Sequence, residues 1–153
     1  MKLSIPHSEE IELLTLILDL NGTLAVKGVV VKGVLERLEA LKKKGLEIYL
    51  FSGDTRGNAK KIAEELGINL VIAGTGEEKR IAALNLHPDT CVTIGNGLID
   101  VPLFQTVKLS IATLQAEGVH MECAREADIL VPSIIDALDL LIDENSLIAT
   151  LRR

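Results

Sequence analysis

The sequence predicts an α/β fold of three layers, a mostly parallel central sheet with helices on both faces, and three observations point to it. Short β-rich runs alternate with helical stretches of about ten residues, the trace that a parallel sheet and its crossover helices leave in a chain. One run, Leu16-Ile17-Leu18, is apolar at consecutive positions, as a central strand buried on both faces requires. Polar clusters then fall where the apolar runs end, and strand ends are where open parallel sheets bind ligands.

Taken in order, Met1 to Leu14 reads as a strand, a turn at Pro6-His7-Ser8, and a second strand that runs on through Leu16-Ile17-Leu18. Leu24 to Val31 reads as a small hairpin flap with Lys27-Gly28 at its turn. Val34 to Lys44 places Leu35, Leu38 and Leu41 on one helical face, and Gly45 stops it. A strand follows over Leu46 to Phe51, then a helix over Asn58 to Leu66 with Ile62, Ala63 and Leu66 inward and Gly67 as its stop. Ile68 to Ile72 is a short strand, and Gly74-Thr75-Gly76 leads into a helix from about Glu77 to Leu86. Further strands are expected at Cys91 to Ile94, Val107 to Ala112 and Ile129 to Val131. Ser133 is placed to cap an amphipathic helix that ends at Ile142, and the residues from Asp143 form one short helix or stay loose.

Length and composition bound the rest. The chain has 153 residues, read as one domain over 1–153, and is 48% hydrophobic and 25% charged, which suits a globular core and not a disordered chain. Aromatics are only 2%, so Leu, Ile, Val and Ala must fill that core. A net charge of −6 argues against a nucleic-acid partner, which needs clustered Lys and Arg. The densest basic run, Lys42-Lys43-Lys44, sits at a helix C-terminus, where cations complement the dipole. No apolar run reaches the roughly 20 residues that span a bilayer, and the N-terminus lacks an apolar signal core, so no membrane and a cytoplasmic setting are expected. Cys91 and Cys123 form no CxxC and sit beside apolar residues, so they read as reduced thiols; the scattered His7, His87 and His120 give no metal-ligand spacing.

Four strand-end features carry possible chemistry: Asp19-Leu20-Asn21-Gly22-Thr23, Ser52-Gly53-Asp54-Thr55, Lys79, and Gly95-Asn96-Gly97-Leu98-Ile99-Asp100. Each alone has a structural explanation as a turn, a helix cap or a solvated lysine; their occurrence together in this order does not. In that order they resemble the motifs of the haloacid dehalogenase-like superfamily of phosphatases and phosphotransferases, and within it the phosphorylation domain of P-type ATPases. The resemblance covers about Leu14 to Leu141, includes Ala127-Asp128-Ile129-Leu130-Val131 as the terminal strand, and is greatest to small soluble P-type-ATPase-like phosphatases.

The resemblance implies a Rossmann-like fold and a Mg²⁺-dependent hydrolase acting on a phosphorylated substrate, small or macromolecular. It implies Asp19 as the nucleophile that forms a phosphoaspartate, with Asp19, Asn21, Asn96 and Asp100 around the metal. It further implies Thr23, Ser52, Gly53 and Lys79 as substrate-binding groups, with Ser52 and Lys79 also catalytic, and Asp100 orienting Lys79 or a metal-bound water. Asp54 is expected only to support these residues.

Three positions depart from the family pattern. Asn21 stands where many members carry the Asp that serves as general acid and base, and an amide cannot carry that proton, so release of phosphate should be slow. Asn96 replaces the usual metal-binding Asp, and Ile99 replaces a common Asn. Neither inter-motif interval has room for a cap domain, so the site should be open, closed if at all by a bulky substrate or by a neighbouring subunit in a homo-oligomer. The same residues also fit a regulatory module that binds phosphate, Mg²⁺ or a partner protein without turnover.

Overall fold

The computed structural model describes all residues, Met1–Arg153. A short antiparallel pair, β1 (Lys2–Leu3) and β2 (Ile11–Glu12), precedes the central strand β3 (Thr15–Asp19). The chain then forms the hairpin β4 (Ala25–Val26) and β5 (Val29–Val30), helix α1 (Val34–Lys43), strand β6 (Glu47–Ser52), helix α2 (Ala59–Leu66) and strand β7 (Asn69–Ile72). Next come α3 (Gly76–Leu84), β8 (Cys91–Gly95), α4 (Val101–Phe104), β9 (Leu109–Thr113), α5 (Met121–Glu126), β10 (Ile129–Val131), α6 (Ile134–Ile142) and α7 (Glu144–Leu151). Six strands form one sheet in the order β10-β9-β8-β3-β6-β7, and every neighbouring pair is parallel. With helices on both faces, this is the three-layer arrangement the sequence predicts.

Strand alternation divides the core between the two faces. Leu16 and Leu18 point to one side, into a cluster of 28 buried residues contributed also by α1, α2, α6 and α7. Ile17 points to the other, where it meets Phe51, Cys91, Ala83 of α3 and Leu103 of α4. Val101, Phe104, Ala112 and Cys123 complete that second, thinner layer under α4 and α5.

The hairpin turns where expected, because Lys27 and Gly28 both take positive φ (51° and 83°), as a two-residue turn matched to strand twist demands. Thr75 and Glu78 form a reciprocal capping box that fixes the start of α3, and Ser133 caps α6.

Several expectations need correction. The second strand does not run on into the central one: β2 ends at Glu12, and the chain enters the main sheet only at Thr15, beside Cys91 and Glu47. On α1 the inward residue of the first turn is Val34; Leu35 is exposed, because Val34, Leu38 and Leu41 make the tighter helical stripe. The strand expected from Val107 begins at Leu109, and α4 and α5 lie where no helix was read. No domain is inserted between Asp19 and Ser52, or between Ser52 and Lys79. No helix is long and apolar enough to cross a membrane.

Candidate active site

The carboxyl ends of β3, β6 and β8 meet at the middle of the sheet, and the loops leaving them line a cavity of about 210 Å³. Its wall includes Asp19, Asn21, Ser52, Gly53, Lys79 and Asn96, so most of the residues singled out in the sequence converge on one place. Asp19 is the last residue of β3, and its side chain is 12% exposed, facing the cavity. Lys79 is carried in by the second turn of α3 and is almost fully buried.

A buried lysine needs partners, and this one has two. Its ammonium donates to Asp19 Oδ1 and to Asp100 Oδ1, each at 2.7 Å. No side chain reaches Asp19 Oδ2. Asp100 accepts two further bonds on Oδ2, from the amides of Asn96 and Gly97, each at 3.0 Å. Both oxygens of Asp100 are thus engaged, and its bond to Lys79 is the geometry of a residue that orients the lysine.

The electrostatics follow from this trio. Burial pushes the Asp19 carboxyl up to about 7, the nearby Asp100 charge adding to the effect while Lys79 opposes it. For Lys79, burial works against the charge, but Asp19 and Asp100 outweigh it and hold its pKa above the usual lysine value. With Asp19 ionised, as attack on phosphorus requires, two carboxylates and one ammonium leave one net negative charge in a partly closed pocket, a poor setting for a phosphoryl dianion unless a cation joins them.

Ser52 ends β6, is buried, and accepts the amide of Asp54 at 3.0 Å, which leaves its hydroxyl proton free to point into the cavity. Asp54 takes a positive φ of 53° and accepts the amide of Ala59 at 2.9 Å, so it starts α2 and supports the Ser52 loop from behind. Asn21 donates through Nδ2 to Thr55 Oγ1 at 3.3 Å, while its side-chain oxygen Oδ1 is buried without a partner.

Thr23 is the residue the structure removes from the expected substrate contacts. It is fully buried, does not line the cavity, and donates its hydroxyl to Asn96 Oδ1 at 3.2 Å. The cause is local: the chain after Asp19 turns through Gly22 (φ 80°), which swings the next side chain inward beneath Asn96. Asn96 in turn donates through Nδ2 to the carbonyl of Gly118 at 3.0 Å. A carbonyl only accepts, so an amide suits this position and a carboxylate would face an oxygen.

Thr55, the last residue of the Ser52-Gly53-Asp54-Thr55 feature and given no role from the sequence, lines the cavity. One residue has no place in the sequence reading. Gln115, two residues past the end of β9, donates to the carbonyls of Gly22 (2.9 Å) and Thr23 and accepts the amide of Ile134 at 3.1 Å. It fastens the loop after Asp19 to the start of α6. The signal available was its position at a strand's carboxyl end, the rule that found the other features.

No three His, Cys, Asp or Glu side chains cluster as a metal site. A hard divalent cation here would draw on Asp19, Asn21 and Asn96, and this oxygen set fits one: the Asn21 side-chain oxygen is orphaned, and no hydrogen bond reaches the Asn21 backbone carbonyl.

The chain is similar to known proteins in sequence and in fold. The haloacid dehalogenase-like hydrolase family model matches residues 5–107. A soluble P-type ATPase-like phosphatase of Methanocaldococcus jannaschii is 32% identical over 127 residues, covering 80% of this chain and 46% of that protein. A copper-transporting ATPase of Helicobacter pylori is 29% identical over 109 residues, covering 69% of this chain and 15% of the pump. The chain thus spans less than half the length of these curated relatives. Among solved structures, the cobalt-bound deoxy-D-mannose-octulosonate 8-phosphate phosphatase of Haemophilus influenzae superposes with a TM-score of 0.73 at 17% identity, covering 88% of this chain and 91% of that one. The corresponding Moraxella catarrhalis phosphatase, in complex with magnesium, phosphate and KDO, gives 0.72 at 19% identity, with 92% and 94% covered. The sheet order, the strand-end site and the matched residues agree: the chain belongs to the haloacid dehalogenase-like hydrolases.

Proposed function

We propose that this protein is a Mg²⁺-dependent phosphatase in which Asp19 takes the phosphoryl group of a phosphorylated substrate and releases it slowly. The observation that carries the reading is the arrangement of Lys79: it grips Asp19 Oδ1 at 2.7 Å and leaves Oδ2 open to a cavity into which Ser52 can donate.

Asp19 Oδ2 attacks phosphorus in line; the new O–P bond forms as the bond to the leaving oxygen breaks, and the leaving group departs with that electron pair. Ser52 and the Gly53 amide hold the equatorial oxygens, and Lys79, aligned by Asp100, offsets charge on Asp19 and the phosphoryl group. Mg²⁺, when bound through Asp19, the Asn21 carbonyl and Asn96, would supply the positive charge that the pocket lacks. Because Asn21 has no proton to give, the leaving oxygen takes one from water, so activated aryl phosphates should react far better than alkyl ones. Water then attacks the phosphoaspartate without a base at position 21, returning the Asp19 carboxylate and inorganic phosphate.

The test is hydrolysis of 4-nitrophenyl phosphate with Mg²⁺ and with chelator. Turnover should require the metal and fall by at least about 10³-fold in Asp19→Asn. Asn21→Asp should raise breakdown of the phosphoenzyme by up to about 10²-fold; unchanged turnover in Asp19→Asn sinks the assignment.

A second reading, a phosphate- and metal-binding module without turnover, is favoured by the amides at both Asn21 and Asn96. It predicts a beryllofluoride adduct on Asp19 together with no hydrolysis.

A further inference from the structure

Beside the phosphoryl cavity lies a second cleft of about 590 Å³, between the start of α3 and the loop that carries Asn96 and Asp100. Leu98, Ile99, Val101 and Pro102 form one wall, and the backbone of Gly76 forms the other. The two walls approach so closely that a Cβ at Gly76 would lie 2.8 Å from Pro102 Cγ and 3.0 Å from the Ile99 carbonyl. Ile99 lines both this cleft and the phosphoryl cavity, so the two are adjacent. Leu98 is 51% exposed and Ile99 36%, side by side on the loop that supplies the site's own polar groups. Single exposed apolar residues are ordinary; an apolar strip immediately beside a polar cavity is a binding shape.

Charge narrows the occupant. Glu77 on the rim is neutralised by a bidentate pair with Arg80 (2.6 and 2.8 Å), whereas Glu122, on the opposite rim, has no ion-pair partner. No basic side chain lines the cleft. A second phosphate or a carboxylate would meet Glu122 and nothing to offset it.

We infer that this cleft holds the organic part of the substrate, and that the substrate is a phosphate monoester whose leaving group is uncharged and apolar, such as an aryl or branched alkyl group. The inference rests on the proposed phosphoryl site and adds its specificity. Non-hydrolysable phosphonates test it without turnover. Calorimetric titration of the Mg²⁺-loaded protein should show phenylphosphonate binding at least about tenfold tighter than methylphosphonate. Leu98→Asn, at an exposed position outside the phosphoryl cavity, should erase that preference and leave methylphosphonate affinity unchanged. A 4-carboxyphenylphosphonate should bind worse than phenylphosphonate, and Glu122→Gln should narrow the difference.

Equal affinities for the phenyl and methyl probes overturn the cleft while leaving the phosphoryl site standing. Failure of both probes to bind overturns the phosphoryl site and this inference with it. No preference between probes, together with a sedimentation coefficient that drops in Leu98→Asn, assigns the strip to a second copy of the chain and likewise overturns the inference.

Discussion

The two faces of the central sheet bury different things. Under α1, α2, α6 and α7 lies a continuous apolar core of 28 residues. Under α3, α4 and α5 the apolar clusters contain only five and four residues, and among them runs the side chain of Lys79, bonded to two carboxylates. Apolar burial is the main favourable term in folding, whereas a buried ion network at best repays its own desolvation. The thick face therefore supplies the stability, and the thin face carries a network whose geometry serves chemistry. Helix α3 shows the division in one element: its capping box fixes its start, Ala83 packs inward, and Lys79, one turn earlier, is spent on Asp19 and Asp100.

The largest effect should come from breaking the network on the thin face. Lys79→Met leaves Asp19 and Asp100 buried without a counter-charge, and removing one partner of such a pair costs about 3–5 kcal/mol. Urea unfolding should show that loss alongside abolished turnover. Adding Asp100→Asn should recover part of the stability but none of the activity, because the Asn oxygen can still accept the amides of Asn96 and Gly97. A single variant as stable as the parent would mean that the lysine is not the counter-charge described.

The thick face should respond in the opposite way. Leu38→Ala removes a fully buried side chain from α1 and should cost about 2–5 kcal/mol in the same unfolding measurement. Turnover per folded molecule should hold, since Leu38 packs in the apolar layer away from Lys79. If turnover collapsed with stability still high, the two faces would not be separable.

This division also sets what could be read from sequence. The thick face announces itself through uninterrupted apolar strand runs and helical stripes, and so α1, α2, α6 and the sheet strands were legible to within a few residues. Helices α4 and α5 have four and six residues, too few for a period to show. The break after Glu12 was hidden because Leu13 and Leu14 keep the run apolar across it. At the site, Asp19, Ser52, Lys79 and Asn96 were legible because each follows a recognisable strand or loop in a fixed order. Thr23 was misread because its direction depends on the turn at Gly22 and on Asn96, 73 positions away. Gln115 was missed for the same reason, its contact to Thr23 spanning 92 positions.

Gln115 ties the loop after Asp19 to α6, and its loss should have an intermediate effect. Gln115→Ala frees the carbonyls of Gly22 and Thr23 and the amide of Ile134 at once, at a cost of about 1–3 kcal/mol. Hydrogen exchange in residues 22–30 should quicken more than in α1, because this side chain ties the loop before the flap to α6. Uniform quickening would instead mark a general loss of stability.

The smallest effect sharpens the comparison from the side of pH. Both cysteines lie on the thin face, and burial pushes the Cys91 thiol up to about 11 and the Cys123 thiol up to about 12, from 9.0. For Cys123 the charges of Asp100 and Asp19 add to that shift, which ties its titration to the network. Above pH 9 the unfolded chain sheds thiol protons that the folded chain keeps, so the unfolded state binds fewer protons and stability falls as pH rises. Lys79 and Tyr49 contribute with the same sign, since the pKa of each is also raised in the folded state, that of Tyr49 by its hydrogen bond to Glu47. The wild-type slope between pH 9 and 11 therefore mixes thiols with lysine and tyrosine, and only a difference isolates the cysteine. Cys123→Ala should flatten the decline of unfolding free energy over that range without reversing it. A slope identical to that of the parent would show that the Cys123 thiol is not held protonated by its surroundings, and would leave the alkaline loss to Cys91, Tyr49 and Lys79.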